Sequence, residues 1–121
     1  MNRFTLPVVC IMSFMLALPG CSSQEEKKQA NFVKGQGYFD KGEFKSARIE
    51  LKNAIQIDPK FLKAHLLLAE ASLNLGDAQE AFRAYFAAAE IDPANSEAQL
   101  KLATFLRSEE HTSELQSRQS I

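Results

Sequence analysis

The feature that most limits what this chain can fold into is a repeat with a period of 34 residues. When the sequence is shifted by 34 positions against itself, Gly42 aligns with Gly76, and Ile-Asp-Pro at 57–59 aligns with Ile-Asp-Pro at 91–93. The other matched positions are Ala47 with Ala81, Ala54 with Ala88, and Phe32 with Leu66 and then Leu100. A fixed period of this size indicates one supersecondary unit copied along the chain, with each copy burying its apolar face against the next.

Each unit is predicted to be a pair of helices joined by a glycine turn, which makes the fold class all-α. Gly42 and Gly76 can adopt the left-handed conformation that ends a helix. Asp77 can cap the following helix, and Glu80 three residues later can complete a capping box. A proline at the end of each unit cannot continue a helix but fits the first turn of the next one. The predicted helices are 30–40, 44–57, 61–75 and 78–91.

This pattern resembles the tetratricopeptide repeat (TPR). The matching residues are Gly35, Tyr38, Ala47, Ala54 and Pro59 in the first unit, and Leu68, Ala69, Ala81, Tyr85, Ala88 and Pro93 in the second. The family's common Trp is absent, with Asn31 and His65 in its place, and its common Tyr is Ser72 in the second unit. The resemblance implies a short right-handed α-solenoid, with one repeat at 28–61, a second at 62–95, and the first helix of a third at 96–106.

The N-terminal segment is interpreted as a targeting signal. Arg3 is followed by an apolar run at 4–18, shorter than the roughly 20 residues that span a bilayer, so 1–20 is predicted to be a signal peptide. Leu-Pro-Gly-Cys at 18–21 resembles the lipobox of bacterial lipoproteins, which implies acylation of Cys21. The alternatives are an uncleaved anchor or an ordinary secretory signal with an incidental cysteine.

A lipoprotein of this kind would be tethered to a membrane. The polar segment at 21–29 is predicted to be the tether between the acylated cysteine and the repeats. Ser22, rather than Asp, follows the cysteine, which favours the bacterial outer membrane, with the repeats facing the periplasm. The segments 37–44 and 47–54 resemble repeat lipoproteins linked to exosortase and exopolysaccharide systems, although pilus-secretin assembly lipoproteins have a similar layout.

The C-terminal segment breaks the repeat. A glycine turn and a second helix with two alanines should follow 96–106, but residues 107–117 read RSEEHTSELQS. This resembles the translation of a common DNA sequencing adapter, so 107–121 is predicted to be non-biological, with a polar natural tail as the alternative. We expect the natural protein to continue through further repeats, and we expect the fragment to be marginally stable.

Residues that would carry catalysis or bind a metal are missing from the pattern. His65 and His111 are the two histidines, and His65 has no ligand partner at metal-binding spacing, so it is interpreted as a packed structural residue. The sequence has no phosphate-binding glycine loop and no nucleophile elbow. The formal net charge of −1 gives no footprint for nucleic acid. We therefore expect a non-enzymatic protein without cofactors.

A peptide-binding groove is implied by the resemblance, because the first helices of such repeats line a concave face. The family's groove positions fall on Gln29, Phe32, Gln36, Phe39 and Asp40 in the first unit, on Lys63, Leu66, Glu70, Leu73 and Asn74 in the second, and on Glu97, Leu100 and Thr104 in the third. Spacings of three and four place each set on one helix face. The alternative is that these side chains only complete packing between helices.

The expected function is a protein-interaction scaffold anchored to the bacterial envelope, which binds a protein or peptide partner and aids assembly of an export, exopolysaccharide or protein-sorting system. The alternatives are a binding arm of a larger enzyme whose catalytic domain lies beyond residue 106, and a pilus or secretin assembly lipoprotein.

Overall fold

A computed structural model describes residues 20–119, with side chains from Ser23 onward. This part of the chain forms five helices and no strand: α1 (Gly20–Asp40), α2 (Phe44–Ile57), α3 (Leu62–Asn74), α4 (Ala78–Ile91) and α5 (Ser96–Gln119). Each helix packs on the next one along the chain, and α1 also reaches α3. The predicted all-α solenoid is confirmed.

Glycine turns join the two helices of each repeat. Gly42 and Gly76 have φ values of 76° and 77°, as the sequence predicts. In the second repeat the turn closes with a bond from the N–H of Asp77 to the carbonyl of Ser72, at 2.9 Å. A carboxylate oxygen of Asp77 then accepts the N–H of Glu80 at 3.0 Å, which caps α4. Only this half of the capping box forms, because the Glu80 carboxylate pairs with basic side chains of α2 instead.

The junctions between helical pairs share one local structure. The chain leaves the helix at Asp58 and Asp92, where the backbone is extended, because a following proline disfavours the helical conformation. The two carboxylates accept the backbone N–H groups of Lys60 and Ala94, each at 3.1 Å. The chain therefore leaves the first and the second helical pair through turns of the same local structure.

The core is rich in alanine, which lets the helices approach closely. The four repeated alanines are fully buried: Ala47, Ala54, Ala81 and Ala88. Leu51 and Tyr85 are the largest fully buried hydrophobic side chains. His65 is 8% exposed, and its Nε2 lies 2.8 Å from the carbonyl oxygen of Pro59, so the interpretation of this histidine as a packed residue is confirmed.

Both ends of the described chain are more helical than the sequence suggests. The polar segment expected to be an extended tether is part of α1, where the Lys28 ammonium lies 2.7 Å from Glu25 and 3.0 Å from Asp58. At the other end α5 continues through residues 107–119 as a solvent-exposed helix. The predicted signal peptide lies outside the described residues, apart from Gly20.

Candidate functional site

A concave groove of about 230 Å³ crosses three helices of the solenoid. The side chains that line it are Phe32 and Gln36 from α1, Lys63, Leu66, Leu67 and Glu70 from α3, and Glu97 from α5. The first helix of each unit therefore contributes side chains to one surface. All of these residues except Leu67 are among the positions expected from the sequence.

The floor of the groove is apolar and rests on the core. Phe32 packs against Phe61 with ring centroids 5.0 Å apart. Leu66 packs against both buried clusters of the core, and Leu67 packs against the larger of them. These three half-buried side chains of the groove therefore sit on a rigid base, since each is fixed by neighbours below it.

Charged and polar groups surround this floor. Gln36, Lys63 and Glu97 are exposed, whereas Glu70 is half-buried. Tyr85 is fully buried, and its hydroxyl has no hydrogen-bond partner among the described residues. Burial raises the pKa of Tyr85 to about 12, and the negative charges of Glu70 and Glu97 contribute to the rise. Both carboxylates are therefore close enough to affect the same buried hydroxyl.

The remaining predicted groove residues lie elsewhere. Phe39 packs edge-on against Phe44, with centroids 5.2 Å apart. Asn74 donates its side-chain amide to the carbonyl of Glu70 at 2.9 Å, and Thr104 donates to the carbonyl of Leu100. Leu73 and Leu100 are 38% and 69% exposed. The groove is thus shorter than the set of positions that the resemblance implies.

Metal-binding groups do not assemble in the part of the chain that the structure describes. No cluster of three or more His, Cys, Asp or Glu side chains there has the arrangement that a metal ion needs.

Known proteins share both the repeat and the fold. A family model for the TPR repeat matches residues 35–76, and a second, for the tetratricopeptide repeat, matches residues 62–95. The stacked helical pairs and the concave groove define a helical-repeat protein. The two models together cover residues 35–95, and this part of the chain therefore consists of tetratricopeptide repeats.

Two individual proteins extend this comparison. The chain is 44% identical over 54 residues to the small glutamine-rich tetratricopeptide repeat-containing protein 2 of Mycosarcoma maydis, a match that covers 45% of this chain and 15% of that protein. It also resembles the solved first TPR of Spaghetti (RPAP3) bound to the HSP90 peptide SRMEEVD. That match has a TM-score of 0.63 and 22% identity, and covers 67% of this chain and 64% of the other. At this identity the second likeness shows the fold alone.

The expected location on the bacterial outer membrane is wrong. The two similar proteins are a repeat protein of Mycosarcoma maydis and a TPR domain that binds an HSP90 peptide, and neither is an envelope lipoprotein by name.

Within residues 20–119, no helix combines the length and the apolar character needed to cross a bilayer.

Proposed function

We propose that the protein is a binding module whose groove receives a peptide segment of a partner protein. The observation that carries this proposal is the convergence of Phe32, Leu66 and Leu67 on an open apolar floor bordered by charged side chains. An apolar strip with polar groups beside it suits an extended peptide, because the strip supplies affinity and the polar groups fix orientation and register.

The comparisons support the proposal at the level of class. The solved TPR domain with the same fold binds a peptide, the HSP90 segment SRMEEVD. Stacked helical repeats in general form extended concave surfaces that serve for binding.

The direct test selects 12-residue peptides from a random phage-displayed library on the full chain and then blocks the groove. Gln36 is exposed and lines the groove, so Gln36→Trp fills it without disturbing the core. Gln56→Trp, at an exposed position of α2 outside the groove, is the matched control. We expect Gln36→Trp to weaken a selected peptide by about tenfold or more, roughly 1.4 kcal/mol, and Gln56→Trp to leave it unchanged. Equal binding by both variants would refute the groove.

A narrower role in assembling an export or exopolysaccharide system is a separate proposal. It rests only on the likeness of segments 37–44 and 47–54 to repeat proteins of those systems. Capture of partners on the full chain in an extract of its source organism, with Gln36→Trp as control, tests it; recovery of no component of such a system counts against the role.

We also propose that Cys21 is acylated and that residues 107–117 derive from a sequencing adapter. Acylation of Cys21 is tested by the intact mass of the protein and of Cys21→Ser, since only the former can carry lipid at that sulfur. The adapter-like origin of residues 107–117 is tested by resequencing the gene beyond the codon for Leu106; the same codons in an independent clone would contradict it.

A further inference from the structure

The groove has an uneven charge. Along α3, Lys63 and Glu70 are seven residues apart on one face, so about 10 Å of helix separates them. Leu66 and Leu67 lie between them, and Glu97 adds a second carboxylate from α5. Two negative groups and one positive group therefore surround the apolar floor.

These charges are not neutralised by neighbouring side chains. Within the described helices, the ion pairs use the cations of Lys28, Arg48 and Lys52, all at other places on the solenoid. Glu70 and Glu97 form no ion pair within 4.0 Å in this part of the chain. Their carboxylates are therefore available to a cation brought by a ligand.

The buried hydroxyl of Tyr85 is affected by the same excess of negative charge. The pKa of the buried Tyr85 hydroxyl is held high by burial first and by the charges of Glu70 and Glu97 as well. The ammonium of Lys101 lies 5.9 Å from the centre of the Tyr85 ring, outside the groove lining. At the Tyr85 hydroxyl, the charges of Glu70 and Glu97 both make the electrostatic potential more negative.

From these observations, and resting on the proposed function, we infer that the groove selects a peptide in which Lys or Arg accompanies aliphatic side chains. The aliphatic groups contact Phe32, Leu66 and Leu67, and the cation pairs with Glu70 and Glu97. The Lys63 ammonium, seven residues before Glu70 on α3, donates to a carboxylate or carbonyl oxygen of the peptide, which sets the direction of the peptide. An acidic segment such as SRMEEVD is disfavoured, because its three carboxylate side chains outnumber its one arginine and would lie beside Glu70 and Glu97.

The inference is tested by the composition of the peptides selected on the full chain at low ionic strength. We expect enrichment of Lys and Arg next to Leu, Ile, Val or Met, and depletion of Asp and Glu. Selection of acidic peptides that Gln36→Trp no longer binds would overturn the inference while leaving the proposed function intact. Failure to select any peptide sensitive to Gln36→Trp would overturn both.

Charge variants give the second arm of the test. For one selected basic peptide, Glu70→Gln and Glu97→Gln should each weaken binding about fivefold at low salt, and less at high salt. Glu90→Gln, at an exposed position of α4 outside the groove, is the matched control and should have no effect. Helical circular dichroism checks that each variant is folded. Unchanged affinity in folded Glu70→Gln and Glu97→Gln proteins would overturn the inference.

Discussion

Gly35 in α1 lies directly against Leu51 in α2, so closely that a Cβ atom on Gly35 would come within 2.8 Å of the Leu51 Cγ. Leu51 is fully buried and belongs to the main core cluster, so it has no empty space to move into. The close packing of the first helical pair therefore depends on the absence of a side chain at residue 35.

Gly35→Ala should destabilise the protein by about 1–3 kcal/mol, the usual cost of overpacking a core. This loss should appear even though alanine is about 1 kcal/mol better than glycine inside a helix. Urea unfolding of the full chain, followed by circular dichroism, measures the change. Gly37→Ala is the matched control, because a Cβ atom there meets nothing within 4 Å and should stabilise the same helix. Equal stability of the two variants would show that residue 35 is not packed as described.

The buried hydroxyl of Tyr85 gives a second prediction. It has no hydrogen-bond partner in the part of the chain that the structure describes, and an unsatisfied buried polar group costs about 1–3 kcal/mol. Tyr85→Phe should therefore leave the free energy of unfolding unchanged or raise it by about 1 kcal/mol, whereas Tyr85→Ala should lower it strongly because a large core side chain is lost. Thermal or urea unfolding compares the three proteins. A clear loss of stability in Tyr85→Phe would mean that the hydroxyl makes a stabilising bond.

Stability should also depend on Tyr85 at high pH. Its pKa in the folded protein is about 12, above the ordinary value of 10.0, so the unfolded chain loses this proton first as the pH rises. The part of the unfolding free energy that comes from the raised pKa of Tyr85 is therefore fully present below pH 10. It is lost between pH 10 and pH 12, where the unfolding free energy falls by up to about 2–3 kcal/mol. The measurement is the difference in unfolding free energy between the wild type and Tyr85→Phe across this range. A constant difference would contradict the raised pKa.

The ion pairs of Glu80 connect the two repeats. Its carboxylate lies 3.2 Å from Arg48 Nη1, contacts the Lys52 ammonium, and lies 3.3 Å from the Ser72 hydroxyl. Glu80→Gln should cost about 1 kcal/mol, since the pair is only partly shielded from solvent. The effect should shrink in 1 M salt, where screening is strong. Glu90→Gln, which breaks no ion pair of the described helices, provides the control in the same urea series. Equal losses in both variants would show that the pairs contribute nothing.

The turns and the capping residue could be predicted from the sequence because their chemistry is local. A glycine that ends a helix and an aspartate that caps the next one, such as Gly76 and Asp77, signal their roles by residue type and by position in the repeat. The common register of the groove residues was also predictable. A period of 34 places Lys63 and Glu97 at equivalent positions of successive helices.

Other features depend on contacts that the sequence does not display. Phe39 turns toward Phe44 across the glycine turn, and this local contact takes it away from the groove. Leu67 follows Leu66 in an apolar run and so gives no separate signal, although it lies four residues after Lys63 on the same helix face. The helix at 22–29 has no apolar stripe, and Lys28 is held by Asp58, 30 residues further along the chain.

The measurement that tests the central claim most directly is a methyl NMR titration of the full chain with a peptide from the library selection. If the peptide lies in the groove, the methyl signals of Leu66 and Leu67 shift most, while those of Ile91, on the opposite helix of the second repeat, stay in place. Gln36→Trp should strongly reduce the shifts at the same peptide concentration. Shifts centred on Ile91, with Leu66 and Leu67 unchanged, would contradict the account.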